Sequence, residues 1–220
     1  MTRIAVLASG GGSNLQAILA HLEALGSTAP GSVALVVSDR SAAGALEKAR
    51  ARGIAALHLP ASGPDGALEQ ALEAHDIGLV ALAGYLRLVP AGVVRRWRGR
   101  LVNIHPALLP AFGGHGMYGH HVHDAVIASG VRVSGATVHF VDEHFDRGPI
   151  LAQWPVPVPA GDTAAALAAR VLAVEHRIYP WCVAALARGD VRLGEDGRVS
   201  GALPYGFGTF SANEGNPFTG

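Results

Sequence analysis

Arg3-Ile4-Ala5-Val6-Leu7-Ala8-Ser9-Gly10-Gly11-Gly12-Ser13-Asn14 is the stretch of sequence that decides the fold. Its first half is an unbroken apolar run, which predicts a strand buried on both faces. The glycines then lead into a helical pattern over residues 14–25, with Ser13 or Asn14 as the expected N-cap. Such a turn lets the backbone approach a phosphate at the positive end of the helix, although a plain glycine-rich turn is the alternative. The run is not G-x-G-x-x-G, and only Asp39 stands where an acidic residue would contact a ribose.

The same alternation of short apolar runs and helical patterns continues through the first half of the chain. Strands are predicted at residues 4–8, 33–38, 55–59, 79–83 and 101–104, and helices at 14–25, 42–52, 66–75 and 91–97. This order predicts an α/β fold, doubly wound and Rossmann-like, with a mostly parallel sheet and helices on both faces. Ligands of such sheets bind beyond the carboxyl ends of the strands, so residues 10–14, 84–89 and 103–110 should share one edge.

The second half of the chain changes character. Residues 131–142 and 150–158 are predicted to be strands added to the sheet, partly antiparallel. A long helix should then start at Asp162 or Thr163 as N-cap and run to about residue 186. Residues 1–190 are therefore expected to form one domain. Residues 191–220 should form a short hairpin around 195–198 and a loose tail after Tyr205.

Composition limits the classes of partner. The 220 residues carry 17 basic and 17 acidic side chains, and this zero net charge argues against nucleic-acid or anionic-membrane partners. The single cysteine, Cys182, suits a reducing compartment. The first apolar run is too short for a signal-peptide core, and no run reaches the ~20 residues of a membrane span. We expect a cytoplasmic protein that acts on small molecules, either as a monomer or as a homodimer.

Three side chains in the sequence, Asn103, His105 and Asp146, have functional groups suited to acyl transfer. Asn103 and His105 are two apart at the end of the fifth predicted strand, so both point to one face. An Asn amide can donate to a developing oxyanion, and a His can exchange protons near neutral pH. Asp146 could orient that imidazole and stabilise its charged form. Taken alone, Asn-x-His could equally be a structural pair, and an Asp in Asp-Arg-Gly-Pro often caps its own turn.

The spaced motifs carry a specific resemblance. Asn-Ile-His-Pro-Ala-Leu-Leu-Pro at 103–110, Gly-Ala-Thr-Val-His-Phe-Val at 135–141 and Asp-Arg-Gly-Pro at 146–149 resemble the folate-dependent formyltransferases over about residues 3–190. Within that family, the length of the chain and residues 9–16 are most similar to the members that act in purine biosynthesis. The resemblance implies a transferase that moves a formyl group from 10-formyltetrahydrofolate to the amine of glycinamide ribonucleotide. It implies direct amine attack without a metal, with the oxyanion stabilised by Asn103 and protonated His105 and with Asp146 favouring that charge.

The resemblance also assigns binding roles to particular residues. The ribonucleotide's phosphate is assigned to Gly12, Ser13 and Asn14, and its sugar hydroxyls or amine to Glu175, which alone would count as a solvated helix residue. The folate is assigned to two segments and the catalytic Asn: Leu86, Arg87, Leu88, Val89, Asn103, Val141, Asp142, Glu143, His144, Phe145 and Asp146. Without the resemblance, residues 86–89 would be interpreted as part of the hydrophobic core, with Arg87 in solvent. His139 is expected to be structural.

Two segments depart from the family pattern. Residues 113–123 are longer than expected and contain four histidines, His115, His120, His121 and His123. A metal site and a flexible substrate-covering loop are the alternatives, and the glycine-rich setting without a nearby Cys favours the loop. Residues 60–65 lack a basic side chain for the folate's carboxylate tail, so that contact stays unassigned.

Three rival functions use parts of the same pattern. A formyl hydrolase would use the same three residues with water as acceptor, but such relatives usually carry an extra N-terminal domain. A methionyl-tRNA formyltransferase would need a further C-terminal domain and a basic surface. A nucleotide-binding module without chemistry would use the glycine loop alone and leave Asn103, His105 and Asp146 scattered.

Overall fold

The structure, a computed structural model, describes residues 1–201. Apolar runs become strands, of which the first seven form one sheet: β1 Thr2–Leu7, β2 Gly31–Ser38, β3 Ala55–His58, β4 Leu79–Leu82, β5 Leu101–His105, β6 Val133–Phe140 and β7 Ile150–Pro157. Six α-helices connect or cover them: α1 Ser13–Leu25, α2 Gly44–Arg50, α3 Ala67–Ala74, α4 Ala91–Arg96, α5 His120–Ser129 and α6 Ala164–Arg188. A 3₁₀ turn, Gly26–Thr28, follows α1.

The seven-stranded sheet has the order β3-β2-β1-β4-β5-β6-β7. The first five strands in this order pair in parallel, whereas β6 pairs antiparallel with β5 and with β7. The prediction of a doubly wound, mostly parallel sheet with antiparallel strands in the second half is confirmed. The order reverses between β1 and β4, and parallel folds open a ligand crevice at such a switch point.

Two apolar clusters explain why the helices cover both faces. Alternate residues of β1 point to opposite sides, so Ile4 and Val6 join one cluster while Ala5 and Leu7 join the other. The first cluster lies under α1, α2, α5 and α6, and the second lies under α3 and α4. Tyr179 of α6 is fully buried, and its hydroxyl donates to backbone carbonyls of β4 and β5. These bonds fix α6 over the end of the sheet where the crevice opens.

Two local predictions were wrong. The flexible loop expected over the histidine-rich segment ends at Gly119, because α5 begins at His120 and buries Val122 and Val126. The N-cap of α1 is Gly12 in the left-handed conformation, at φ 74°, rather than Ser13 or Asn14. A Cβ at Gly12 would lie 2.9 Å from the backbone of Ala45, so only glycine fits.

The C-terminal half is closed by one long helix and a hairpin. Thr163 caps α6, accepting a hydrogen bond from the Ala166 N–H, as one of the two predicted alternatives. β8 Val191–Leu193 pairs antiparallel with β9 Val199–Gly201, where the sequence predicts a hairpin. The tail expected after Tyr205 lies outside the described residues. Within residues 1–201, no helix is both long enough and apolar enough to span a membrane.

Candidate active site

A cavity of about 520 Å³ opens at the carboxyl ends of β1, β4 and β5. The glycine loop after β1 and the segment after β4 both contribute to its lining. Asn103, His105 and Asp146 lie on its wall together with His139. The three side chains that the sequence singled out for catalysis therefore converge, as a common site requires and as a module using only the glycine loop would not.

The carboxylate of Asp146 contacts each of the other three side chains. Its Oδ2 lies 3.5 Å from Nδ1 of His105 and accepts a 2.9 Å hydrogen bond from the Gly114 N–H. Its Oδ1 lies 3.5 Å from both the amide nitrogen of Asn103 and Nε2 of His139. Burial alone would raise the pKa of Asp146, but the neighbouring His139 and His105 side chains and the Gly114 N–H together lower it. Asp146 is therefore a carboxylate at neutral pH.

The tautomer of His105 follows from its neighbours. Nε2 lies 2.8 Å from the carbonyl oxygen of Phe112, which can only accept, so Nε2 carries a proton. In the neutral ring, Nδ1 then presents a lone pair beside Asp146. His105 is 2% exposed, and this burial lowers its pKa against the raising effects of Asp146 and the Phe112 carbonyl. The lowered pKa leaves His105 a neutral imidazole near pH 7, which can accept a proton and become the protonated form that the resemblance implies at the oxyanion.

Asn103 is held by a histidine that the sequence analysis treated as structural. Nδ1 of His139 lies 2.8 Å from the Phe140 carbonyl and donates to it, which leaves Nε2 as an acceptor. The amide nitrogen of Asn103 donates to that Nε2 at 3.1 Å. The amide's second hydrogen faces Asp146 across the longer 3.5 Å contact, the weaker of the two. His139 thus orients Asn103, and its place on a strand opposite Asn103 was the available signal.

Asp146 reaches the cavity through an unusual backbone. Its φ is 57°, a left-handed conformation that is uncommon for a residue with a side chain. The tight turn also depends on Gly148, because a Cβ there would collide with the Phe140 carbonyl oxygen. Strained conformations of this kind cluster at functional sites, and here the conformation places the carboxylate between the two histidines.

The glycine-loop end of the cavity contains all four residues assigned to the ribonucleotide. Gly12, Ser13 and Asn14 line it from one side and Glu175 of α6 from the other. The Asn14 amide donates to the Glu175 carboxylate at 2.7 Å, so the two side chains are paired across the cavity wall. Glu175 is 7% exposed, which contradicts its reading as a solvated residue, and burial raises its pKa to about 7 although the Asn14 hydrogen bond opposes the rise.

The cavity lining also contains most residues assigned to the folate. Leu86, Arg87, Leu88 and Val89 line the cavity, as do Val141, His144 and Phe145. Asp142 and Glu143 are not in the lining. Asp142 accepts from the His144 N–H within its own turn, and Glu143 faces Arg95 at 3.4 Å. Ser9, which the sequence analysis gave no role, accepts from the Leu86 N–H at 3.0 Å and donates to Asp39 at 2.6 Å. Asp39 is thereby engaged in fixing this segment.

The histidine-rich segment contributes to the cavity wall through His115, His120 and His123. His120 and His121 also lie near Asp124, and one ligand atom from each falls within 4.8 Å of the others. All three side chains are exposed. This cluster does not include Asn103, His105 or Asp146.

Comparison with known proteins agrees with this geometry. Residues 2–183 match the family model described as formyl transferase. The chain is 46% identical to phosphoribosylglycinamide formyltransferase, chloroplastic, of Vigna unguiculata over 89% of this chain, and it spans 64% of that relative's length. It is 38% identical to phosphoribosylglycinamide formyltransferase of Bacillus subtilis over 82% of this chain and 92% of the relative. The crystal structure of glycinamide ribonucleotide transformylase 1 from Symbiobacterium toebii superposes with a TM-score of 0.82 at 44% identity, covering 90% of this chain and 93% of that one. The resemblance inferred from the motifs is confirmed, and the chain belongs to the formyl transferase family.

Proposed function

We propose that this chain transfers the formyl group of 10-formyltetrahydrofolate to the primary amine of glycinamide ribonucleotide, a step of purine biosynthesis. Asn103, His105 and Asp146 are the catalytic residues in this proposal. The observation that carries it is the Asp146 carboxylate, 3.5 Å from both His105 Nδ1 and Asn103 Nδ2 on the wall of one cavity. The relatives named for this reaction support the same assignment.

The reaction begins at the amine nitrogen, which attacks the formyl carbon and forms a C–N bond. The carbonyl π electrons move to oxygen, and the Asn103 amide donates to this oxyanion after giving up its long contact with Asp146. His105 Nδ1 accepts the proton that the amine loses, and Asp146 stabilises the resulting imidazolium. Collapse of the intermediate breaks the bond to the folate nitrogen, which takes that proton back from His105, directly or through water. The products are formylglycinamide ribonucleotide and tetrahydrofolate, and no enzyme nucleophile is needed.

Orientation and electrostatics share the rate enhancement. One oxyanion donor contributes roughly 3–4 kcal/mol, and general acid–base catalysis roughly 10²–10⁴-fold. Holding the two substrates together contributes about 7 kcal/mol or more. The cavity suits this division, because its lining includes residues assigned to the nucleotide, residues assigned to the folate and the three polar side chains.

The two substrates occupy different ends in this proposal. The phosphate binds the N–H groups at Gly12 and Ser13, where α1 begins, and Glu175 contacts the sugar or amine end. The folate's ring system lies along Leu86 to Val89 and the 141–146 loop. 10-Formyltetrahydrofolate acts as cosubstrate, and no metal takes part. We propose that Asp142 and Glu143 act by stabilising the folate-binding loop. Asp142 accepts a hydrogen bond within the turn of this loop, and Glu143 faces Arg95.

The wider assignments complete the proposal. The partners are small molecules, with no nucleic acid and no membrane, which the balanced charge supports. We propose a cytoplasmic monomer or homodimer, in which residues 1–190 form the catalytic domain and 191–220 an appended hairpin and tail.

A product assay tests the function. Purified protein is incubated with 10-formyltetrahydrofolate with and without glycinamide ribonucleotide, and formyl-nucleotide, formate and tetrahydrofolate are quantified. The proposal expects tetrahydrofolate and formyl-nucleotide in equal amounts, only when the nucleotide is present. Formate release independent of the nucleotide would identify a hydrolase, and no consumption of the folate would identify a binding module.

A further inference from the structure

The first turns of α5 bring together three side chains that can bind a metal ion. His120 and His121 begin this helix, and Asp124 follows them. Asp124 is four residues after His120 and three after His121, and side chains at these spacings are neighbours on a helix surface. One ligand atom from each residue falls within 4.8 Å of the others. The two imidazole rings are also in contact, with their centroids 3.9 Å apart.

The ligand atoms of these three side chains are available to an ion. All three residues are exposed, and within residues 1–201 none of them forms a hydrogen bond or an ion pair. The ring of Tyr118 packs edge-on against His121 at 5.4 Å, which leaves the ring nitrogens unused. His123 of the same helix is not part of the group, because it is 7% exposed and its Nδ1 is sealed from solvent.

The donor set narrows the kind of ion. Two imidazole nitrogens and one carboxylate oxygen suit a transition ion such as Zn²⁺, whereas Mg²⁺ and Ca²⁺ prefer oxygen ligands. Ligand atoms around tetrahedral Zn²⁺ lie roughly 3.3 Å apart, and rotation of the exposed side chains closes the remaining distance without moving the helix. The positive end of the α5 dipole disfavours a cation, and the Asp124 carboxylate offsets this effect.

We propose that His120, His121 and Asp124 form a Zn²⁺ site, with water as the fourth ligand, and that the bound ion fixes the start of α5. The ion takes no part in the formyl transfer proposed above, so the inference stands or falls independently of that function. His120 also lines the cavity, so the ion lies at the cavity wall, where the glycine-rich residues 113–119 lead into α5.

Calorimetric titration of the metal-free protein with ZnCl₂ tests the site. His121→Gln and Asp124→Asn each remove one ligand, and neither residue lines the cavity. His58→Gln and Asp65→Asn are the matched controls, because both residues are exposed and lie outside the cluster and the cavity lining. The parent is also titrated with MgCl₂. Thermal unfolding without metal checks that each variant folds, and its repetition with Zn²⁺ measures the stabilisation by the ion.

We expect the parent to bind one Zn²⁺ ion whose Kd rises at least about tenfold in His121→Gln and in Asp124→Asn, since even the partners of metal ligands contribute 10–100-fold to affinity. Zn²⁺ should raise the Tm of the parent and of both controls, and this rise should be lost in the two cluster variants. Mg²⁺ should show no saturable binding. A folded parent that binds no Zn²⁺, Zn²⁺ affinity unchanged in the cluster variants, or equal binding of Mg²⁺ would overturn the assignment.

Discussion

Replacing Glu175 by Gln should stabilise the fold at alkaline pH and have almost no effect at acidic pH. The side chain is 7% exposed, and the described residues supply one hydrogen bond, from the Asn14 amide at 2.7 Å. No basic side chain forms an ion pair with it within residues 1–201. Burial therefore raises its pKa from 4.5 to about 7, and ionisation at higher pH leaves a poorly compensated charge in the protein.

The sign follows from proton linkage. Well below pH 4.5 Glu175 is protonated in both the folded and the unfolded chain, and it then resembles Gln. As the pH rises towards 7 the unfolded chain loses this proton more readily, which lowers the free energy of unfolding. The whole shift corresponds to roughly 3 kcal/mol. Gln keeps an oxygen for Asn14 and carries no charge, so the variant escapes this loss.

Urea unfolding followed by circular dichroism at pH 5, 6, 7 and 8 measures the effect. The stability of Glu175→Gln relative to the parent should be about 1 kcal/mol at pH 5, rise further up to about pH 7, and level off at roughly 3 kcal/mol. Glu47→Gln, at an exposed position on α2, should differ by less than about 0.5 kcal/mol at every pH. A pH-independent difference for Glu175→Gln, or a variant less stable at pH 8 than the parent, would refute the reasoning.

Three further predictions concern catalysis and binding. Asp146→Asn should lower kcat by about a hundredfold or more while changing the KM of either substrate little, because the carboxylate acts on the imidazolium that forms during reaction; near-normal turnover would remove Asp146 from the mechanism. Ser13→Asp should raise the ribonucleotide's KM steeply by charge repulsion at the start of α1 and leave the folate KM alone, and an unchanged nucleotide KM would put the phosphate elsewhere. Treatment with EDTA followed by desalting should leave turnover unaltered, whereas activity lost and then restored by Zn²⁺ would give His120, His121 and Asp124 a catalytic metal.

The sheet was predictable because its signals are local. Each parallel strand is a short apolar run, and each run precedes a helical pattern. The beginning of α5 was not predictable by the same means. Glycines and polar histidines dominate residues 113–121, and Val122 and Val126 supply too few apolar positions to show a helical period.

The parts of the candidate site that could be predicted are those in which chemically suitable side chains stand in a recognisable motif. Asn103 and His105 follow from a strand end, and Asp146 needed the family resemblance, because its turn sequence alone is equally typical of a structural Asp. Contacts between segments that are far apart in the sequence could not be predicted from it. The Asn14–Glu175 bond joins residues 161 apart in sequence and buries a carboxylate that helical periodicity placed in solvent.

Hydrogen bonds from backbone groups are the other feature of the site that the sequence did not predict. The Phe112 carbonyl fixes the tautomer of His105, and the Gly114 N–H helps lower the pKa of Asp146. A backbone contact of this kind depends on the path of the chain rather than on residue type. This is why the tautomer of His105 and the lowered pKa of Asp146 could not be predicted from the sequence.

A crystal structure of the protein with glycinamide ribonucleotide and a non-reactive folate analogue would test the central claim most directly. The account predicts the phosphate on the N–H groups at Gly12 and Ser13, the folate ring along Leu86 to Val89, and the amine about 3–3.5 Å from the position of the formyl carbon, within reach of His105. A nucleotide bound with its amine far from His105 and Asp146, or a folate ring outside this cavity, would contradict it.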